Sequence, residues 1–94
     1  MTLGVIIIDL VIPVSRSLKS KRSRIKPLLT RLHKEFNVST AELDKQEMWN
    51  QAVIGCAMLS NDKGFINAAL SKIPLFIQNK FPDIEIIDCS IQFL

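Results

Sequence analysis

The sequence predicts an α+β domain of order βαββαβ, a four-stranded antiparallel sheet with two helices on one face. Three observations predict it. Residues 3–12 (LGVIIIDLVI) are a β-branched run of strand length. Two later stretches carry apolar residues at helical spacing on one side. Each of these stretches leads back into strand-like sequence. At 94 residues the chain makes one domain, residues 1–94, large enough for a real core.

In the first strand Ile6, Ile8, Leu10 and Ile12 point one way, and Val5, Ile7, Asp9 and Val11 the other. Both sets are mostly apolar, which predicts a central strand, and Pro13 ends it. Ser17 is suited to cap the first helix, whose stripe is Leu18, Ile25, Leu28, Leu29, Leu32 and Phe36. Pro27 falls inside that helix and is expected to kink or split it. Residues 38–44 (VSTAELD) read as a weaker second strand, and Trp49 to Leu59 as a third. Ser60, Asn61 and Asp62 offer caps for a second helix built on Phe65, Ile66, Ala69, Leu70, Ile73, Phe76 and Ile77, with Pro74 interrupting it. Ile84 to Phe93 complete the sheet. Right-handed crossovers then place both helices on one face, a split-βαβ or ferredoxin-like arrangement.

Composition removes several functional classes. An apolar fraction of 48% excludes a disordered chain. The apolar N-terminus has no basic flank, is interrupted by Asp9 and lacks a small-residue cleavage site, so it is not read as a signal peptide. No apolar run approaches membrane-spanning length, so no membrane association and a cytoplasmic location are expected. Cys56 and Cys89 lie far apart without CxxC spacing, and His33 is the lone histidine. No zinc site follows, and both cysteines are expected as buried reduced thiols. Gly4, Gly55 and Gly64 are isolated, so no glycine-rich phosphate loop and no cofactor is expected.

Charge is the strongest functional signal. Between Leu10 and Lys34 there is no acidic residue, and eight of the twelve Lys and Arg lie there. The segment carries +8, while the rest, with four cations against nine acids, carries −5. A dipolar molecule with one cationic element attracts an anionic partner. The candidate anion- or nucleic-acid-binding residues are Ser15, Arg16, Ser17, Lys19, Lys21, Arg22, Arg24, Lys26, Arg31 and Lys34. Ser15 to Lys19 lie at a helix start, where free N–H groups and hydroxyls suit a phosphate. Aromatics do not intersperse with the cluster, so base stacking on the sheet is not expected.

The sheet face away from the helices is expected to expose Val5, Ile7, Val11, Ile84 and Ile86, with Val53 and Leu59 beside them. An apolar patch of that kind predicts a homodimer or a protein partner. Asp9 and Asp88 are expected to meet on this face. A carboxylate pair without a nucleophile or third ligand is weak grounds for catalysis, and the chain is read as non-enzymatic. Glu42, Asp44 and Glu47 are expected in a solvated turn, and Trp49 as a core or interface anchor.

The stretch PVSRSLKSKR at Pro13 to Arg22, FNVS at Phe36 to Ser39, AELD at Ala41 to Asp44, Trp49, Ala52, Gly55 and SND at Ser60 to Asp62 together resemble the YlxP-like proteins, a small bacterial family of unknown function. The resemblance spans nearly the whole chain. It departs from the family pattern at Pro27 and Pro74, and at Lys45, where the pattern has His. The resemblance implies a ferredoxin-like fold and no established catalytic residues. Family genes often sit beside those for transcription, translation-initiation and ribosome-maturation factors, which implies RNA or a ribosomal particle as partner. The leading expectation is a binding module using the basic loop and first helix. The alternative is a homo-oligomeric interaction domain using the open sheet face, and the last is a small-molecule enzyme or regulator.

Overall fold

The computed structural model describes residues 1–94. β1 (Thr2–Val11) leads through a turn into α1 (Leu18–Phe36), followed by β2 (Ser39–Asp44) and β3 (Gln51–Ser60). Two short helices follow, α2 (Lys63–Ser71) and α3 (Ile73–Lys80), and β4 (Glu85–Phe93) closes the chain. The strands form one antiparallel sheet in the order β2-β3-β1-β4. This is the α+β, ferredoxin-like arrangement.

The alternation expected of β1 is present. Ile6, Ile8, Leu10 and Ile12 are buried under the helices, whereas Val5, Ile7 and Val11 are half-exposed on the opposite face. β3 matches them in register, Ile6 opposite Cys56 and Ile8 opposite Ile54. α1 contributes Ile25, Leu28 and Leu32, α2 contributes Ile66 and Leu70, and α3 contributes Ile73 and Ile77. Each such side chain, fully removed from water, contributes roughly 1.5–3 kcal/mol. Gly4 on β1 lets α2 lie close, because a Cβ there would overlap Ile66 Cγ2.

α1 starts where Ser17 Oγ accepts from the Ser20 amide at 3.0 Å, and it ends at Asn37 in the left-handed region with φ 53°. Pro27 does not split it; the helix runs unbroken from Leu18 to Phe36. Pro74 does divide the second helical segment. It sits in the first turn of α3, where its missing N–H is no loss, and the helix is interrupted at Lys72.

Several placements differ from expectation. Ile84 is buried in the core, and Ile86 lies opposite the buried Leu10 and packs on the core. Neither belongs to the open face. The cause is a bulge: the register shifts between Asp9 and Leu10, skips Ile87, and reverses the facing of the start of β4. Cys56 is buried but Cys89 is exposed, because β4 is an edge strand. Trp49 precedes β3 rather than starting it, and is half-exposed.

Candidate nucleic-acid interface

α1 carries all but one of the candidate cations, with Arg16 just before it, and helical geometry sorts them by direction. Lys21, Ile25, Leu28 and Leu32 recur at helical spacing and are the buried residues of the helix. Lys21 is therefore not on the basic surface. Its ammonium donates to the backbone carbonyls of Lys45 (2.8 Å), Gln51 (3.1 Å) and Gln46 (3.4 Å). It also meets Glu42 Oε2 at 2.9 Å. The side chain pins the turn between β2 and β3 to the first turn of α1. Lys45, in the left-handed region with φ 62°, helps shape that turn, and its own ammonium donates to Gln51 Oε1 at 3.2 Å.

Ser15 is likewise withdrawn. It is fully buried, and its hydroxyl donates to the Ser17 carbonyl at 3.3 Å. Ser17 Oγ is occupied as the helix cap. The hydroxyls expected to cradle a phosphate therefore serve the turn into α1.

Two arginines on the α3 side of the helix are engaged. Arg24 is paired with Asp83 in the turn before β4. Arg31 bonds Glu35 at 3.4 Å and lies over the Phe76 ring, 5.4 Å from its centroid. Phe76 in turn meets Phe36 edge-on, so Arg31 is held against an aromatic pair.

Arg16, Lys19, Arg22, Lys26 and Lys34 remain. All are exposed, and none takes part in an ion pair. Lys19, Arg22 and Lys26 share one flank, and Lys34 lies about 22 Å further along the axis from Lys19. Arg22, Ser23, Lys26, Pro27, Thr30 and Arg31 line a shallow open depression on the outward side of the helix. This arrangement can hold several phosphates of one strand by charge, and it offers no aromatic platform for bases. His33 is not part of it: its Nδ1 is bonded to the Val38 carbonyl at 2.8 Å.

The open sheet face has the opposite character. Its rows run Leu3–Leu59, Val5–Ala57, Ile7–Gly55 and Asp9–Val53. Val5, Ala41, Leu43, Gly55 and Ala57 border a small apolar depression there. Asp9 and Asp88 are direct cross-strand partners on this face, as expected. Like charges opposite one another are unfavourable, and together with Glu85 they make this end of the face acidic. No group of three His, Cys, Asp or Glu lies close enough to hold a metal ion. Glu42 leaves the acidic turn to meet Lys21. Burial pushes the Cys56 thiol up to about 12, far from the range of a nucleophile. No helix is long and apolar enough to cross a membrane.

Charge counting misplaces Lys21, and its place on the stripe of Ile25, Leu28 and Leu32 is the sequence signal for its burial.

Comparison with known proteins agrees with this picture of a fold without an assigned chemistry. The de novo designed protein Foldit4 is similar in structure, with a TM-score of 0.50 over 100% of this chain and 97% of that one, at 17% identity. That likeness concerns the fold alone. The uncharacterized protein YlxP of Bacillus subtilis (strain 168) is 38% identical over 69 residues, covering 73% of this chain and 74% of the relative. The family described as "Protein of unknown function (DUF503)" matches residues 3–91, nearly the full length, and the chain belongs to it.

Proposed function

We propose that the chain is a non-enzymatic binding module that docks RNA, including the RNA of ribosomal particles, along the exposed flank of α1. The observation that carries this reading is the set of five cations, Arg16, Lys19, Arg22, Lys26 and Lys34, that are exposed and without an acidic partner. Of these, Arg16 and Lys19 lie at the helix start, where each opposes the helix dipole by about 0.3–1 kcal/mol. A bound polyanion relieves that repulsion. The absence of aromatics around the cluster favours recognition of backbone charge and shape over base identity.

The test is binding of the purified protein to ribosomal RNA and to 30S and 50S particles across a salt series. Five phosphate contacts give a slope of log K against log salt of about −3.5 to −4.5. Reversal of Lys19, Arg22 and Lys26 to Glu abolishes binding. Lack of binding at low salt overturns the reading.

A second reading, protein docking on the open sheet face, is favoured by the uncovered apolar rows of Leu3, Val5 and Ile7. It predicts that Val5→Glu, and not the helix reversal, removes the interaction.

A further inference from the structure

The two edges of the sheet are built differently. β2 is six residues long, carries Glu42 and Asp44, and has an irregular register against β3. Charge, shortness and irregularity all discourage another strand from adding there. β4 is nine residues long, and its irregularity and its two acids, Glu85 and Asp88, lie in its first half. From Cys89 to Leu94 it has no charge, no proline and no bulge.

The hydrogen-bond phase of β4 follows from two bonds. The Leu94 amide donates to the Leu3 carbonyl at 2.9 Å, and the Ile12 amide to the Asn50 carbonyl at 2.8 Å. Odd residues of β1 therefore bond to β4, and even residues to β3. On β4, Gln92, Ser90 and Asp88 face β1. Cys89, Ile91 and Phe93 turn their N–H and C=O groups outward, with no strand beyond them. The side chains of Ile91 and Phe93 pack on the core only in part.

We propose that this half of β4 pairs with the same segment of a second copy, antiparallel about a two-fold axis at Ile91, to make one continuous sheet through both protomers. Ile91 then faces Ile91 of the second copy, and Cys89 faces Phe93. All three outward-facing residues exchange backbone hydrogen bonds, as an in-phase antiparallel pair requires. Asp88 falls opposite Leu94, so no acid meets an acid. Ile91 gains the apolar cover that one copy leaves incomplete, while the Phe93 ring already carries Lys63 Nζ at 4.6 Å from its centroid. A shift of one residue in register puts the pairing out of phase, and a shift of two keeps the phase but gives up one of the three outward-facing pairs or brings in Ile87 at the bulge. One short strand pair with three outward-facing residues from each copy makes a small contact, so the dimer is a reversible one. This pairing leaves α1 and the open sheet face free and rests on neither functional reading.

Sedimentation of the full chain from micromolar to millimolar concentration is the experiment. The chain is expected to pass from monomer to dimer over this range. Cys89→Pro removes an outward amide without touching the β1 ladder, and Cys89→Lys places a charge on the edge in each copy. Each weakens dimerisation at least tenfold, while Cys89→Ser leaves it unchanged. Circular dichroism and thermal melting check that all three variants fold. A nitroxide on Cys89 reports a separation between copies of about 14 Å along the strands in the proposed register. A chain that stays monomeric at millimolar concentration overturns the proposal. So does a dimer indifferent to Cys89→Pro and Cys89→Lys, or one broken by Val5→Glu on the sheet face.

Discussion

Lys21 and Glu42 close an ion pair at 2.9 Å inside the protein, linking the first turn of α1 to β2. The ammonium also holds two carbonyls of the β2–β3 turn and that of Gln51 at the start of β3, so one charged side chain from the most basic segment organises a loop more than twenty residues away. Lys21→Met removes those bonds and strands Glu42, a carboxylate only about one-fifth exposed. The expected loss is about 3 kcal/mol in urea unfolding. Glu42→Gln leaves the carbonyl bonds in place and costs about 1 kcal/mol. Equal effects of the two variants would show that the carbonyls contribute nothing.

Cys56 sets an alkaline limit on stability. Its folded pKa is raised from 9.0 to about 12 by burial. Below pH 9 the thiol is protonated in both folded and unfolded chains, and stability does not depend on it. Above pH 9 the unfolded chain releases the proton and the folded chain retains it until about pH 12, so stability falls through that window. The slope approaches about 1.4 kcal/mol per pH unit. Unfolding free energies at pH 8, 9 and 10 should show the decline, and Cys56→Ala should flatten it. In the native protein a thiol reagent at pH 8 modifies the exposed Cys89 and leaves Cys56 intact.

Much of this architecture is legible in the sequence, and the failures have physical causes. The alternation of Ile6, Ile8, Leu10 and Ile12 and the stripe of Ile25, Leu28 and Leu32 suffice for the sheet and α1. Lys21 lies on the same stripe as those residues, yet a lysine is read as solvated unless its partners are known. Those partners, the carbonyls of Lys45, Gln46 and Gln51, are backbone atoms with no signature in the side-chain sequence. Simple alternation carried through Ile87 puts Ile84 and Ile86 on the open face, and the bulge at Ile87 resets it. The apolar neighbours of Cys89 imply burial, whereas its exposure follows from the edge position that strand order gives β4. The position of the basic surface is legible in the sequence and its membership is not, since burial takes Lys21, Asp83 engages Arg24, and Glu35 and Phe76 engage Arg31.

Arg24 offers a direct check on that division. Asp83 neutralises it at the turn into β4. Because the pair is partly exposed, Asp83→Asn should lower stability by less than about 1 kcal/mol. The same change frees a guanidinium on the α3 side of the helix, across α1 from Lys19, Arg22 and Lys26. Under the RNA reading, affinity rises about threefold and the salt slope steepens by about 0.7–0.9. Unchanged affinity with unchanged folding would place the docking surface on the Lys19–Lys26 flank alone.

Gly4 and Gly55 should respond differently to the same substitution. A Cβ at Gly4 overlaps Ile66 Cγ2, in the buried contact between β1 and α2. Gly4→Ala therefore pushes α2 from the sheet, at a cost of about 1–3 kcal/mol. A Cβ at Gly55 meets Leu43 Cδ1 at 2.6 Å, but Leu43 is 49% exposed and can turn aside. Gly55→Ala should change stability by less than about 1 kcal/mol. Thermal melts of the two variants distinguish a packed helix from a movable side chain.

Pro27 is the residue of α1 whose presence the helix itself does not favour. It has no amide to offer the Ser23 carbonyl, and its ring crowds the preceding turn, yet the helix continues through it. It also lies within the depression formed by Arg22, Ser23, Lys26, Thr30 and Arg31. Pro27 is exposed, so Pro27→Ala removes no core packing. The substitution should raise unfolding free energy by about 1–3 kcal/mol. If the proline shapes the basic surface, the same variant binds RNA more weakly although every cation is retained. Higher stability with unaltered binding would mean that charge alone carries the interaction. Unaltered stability would mean that the fold already absorbs the missing hydrogen bond.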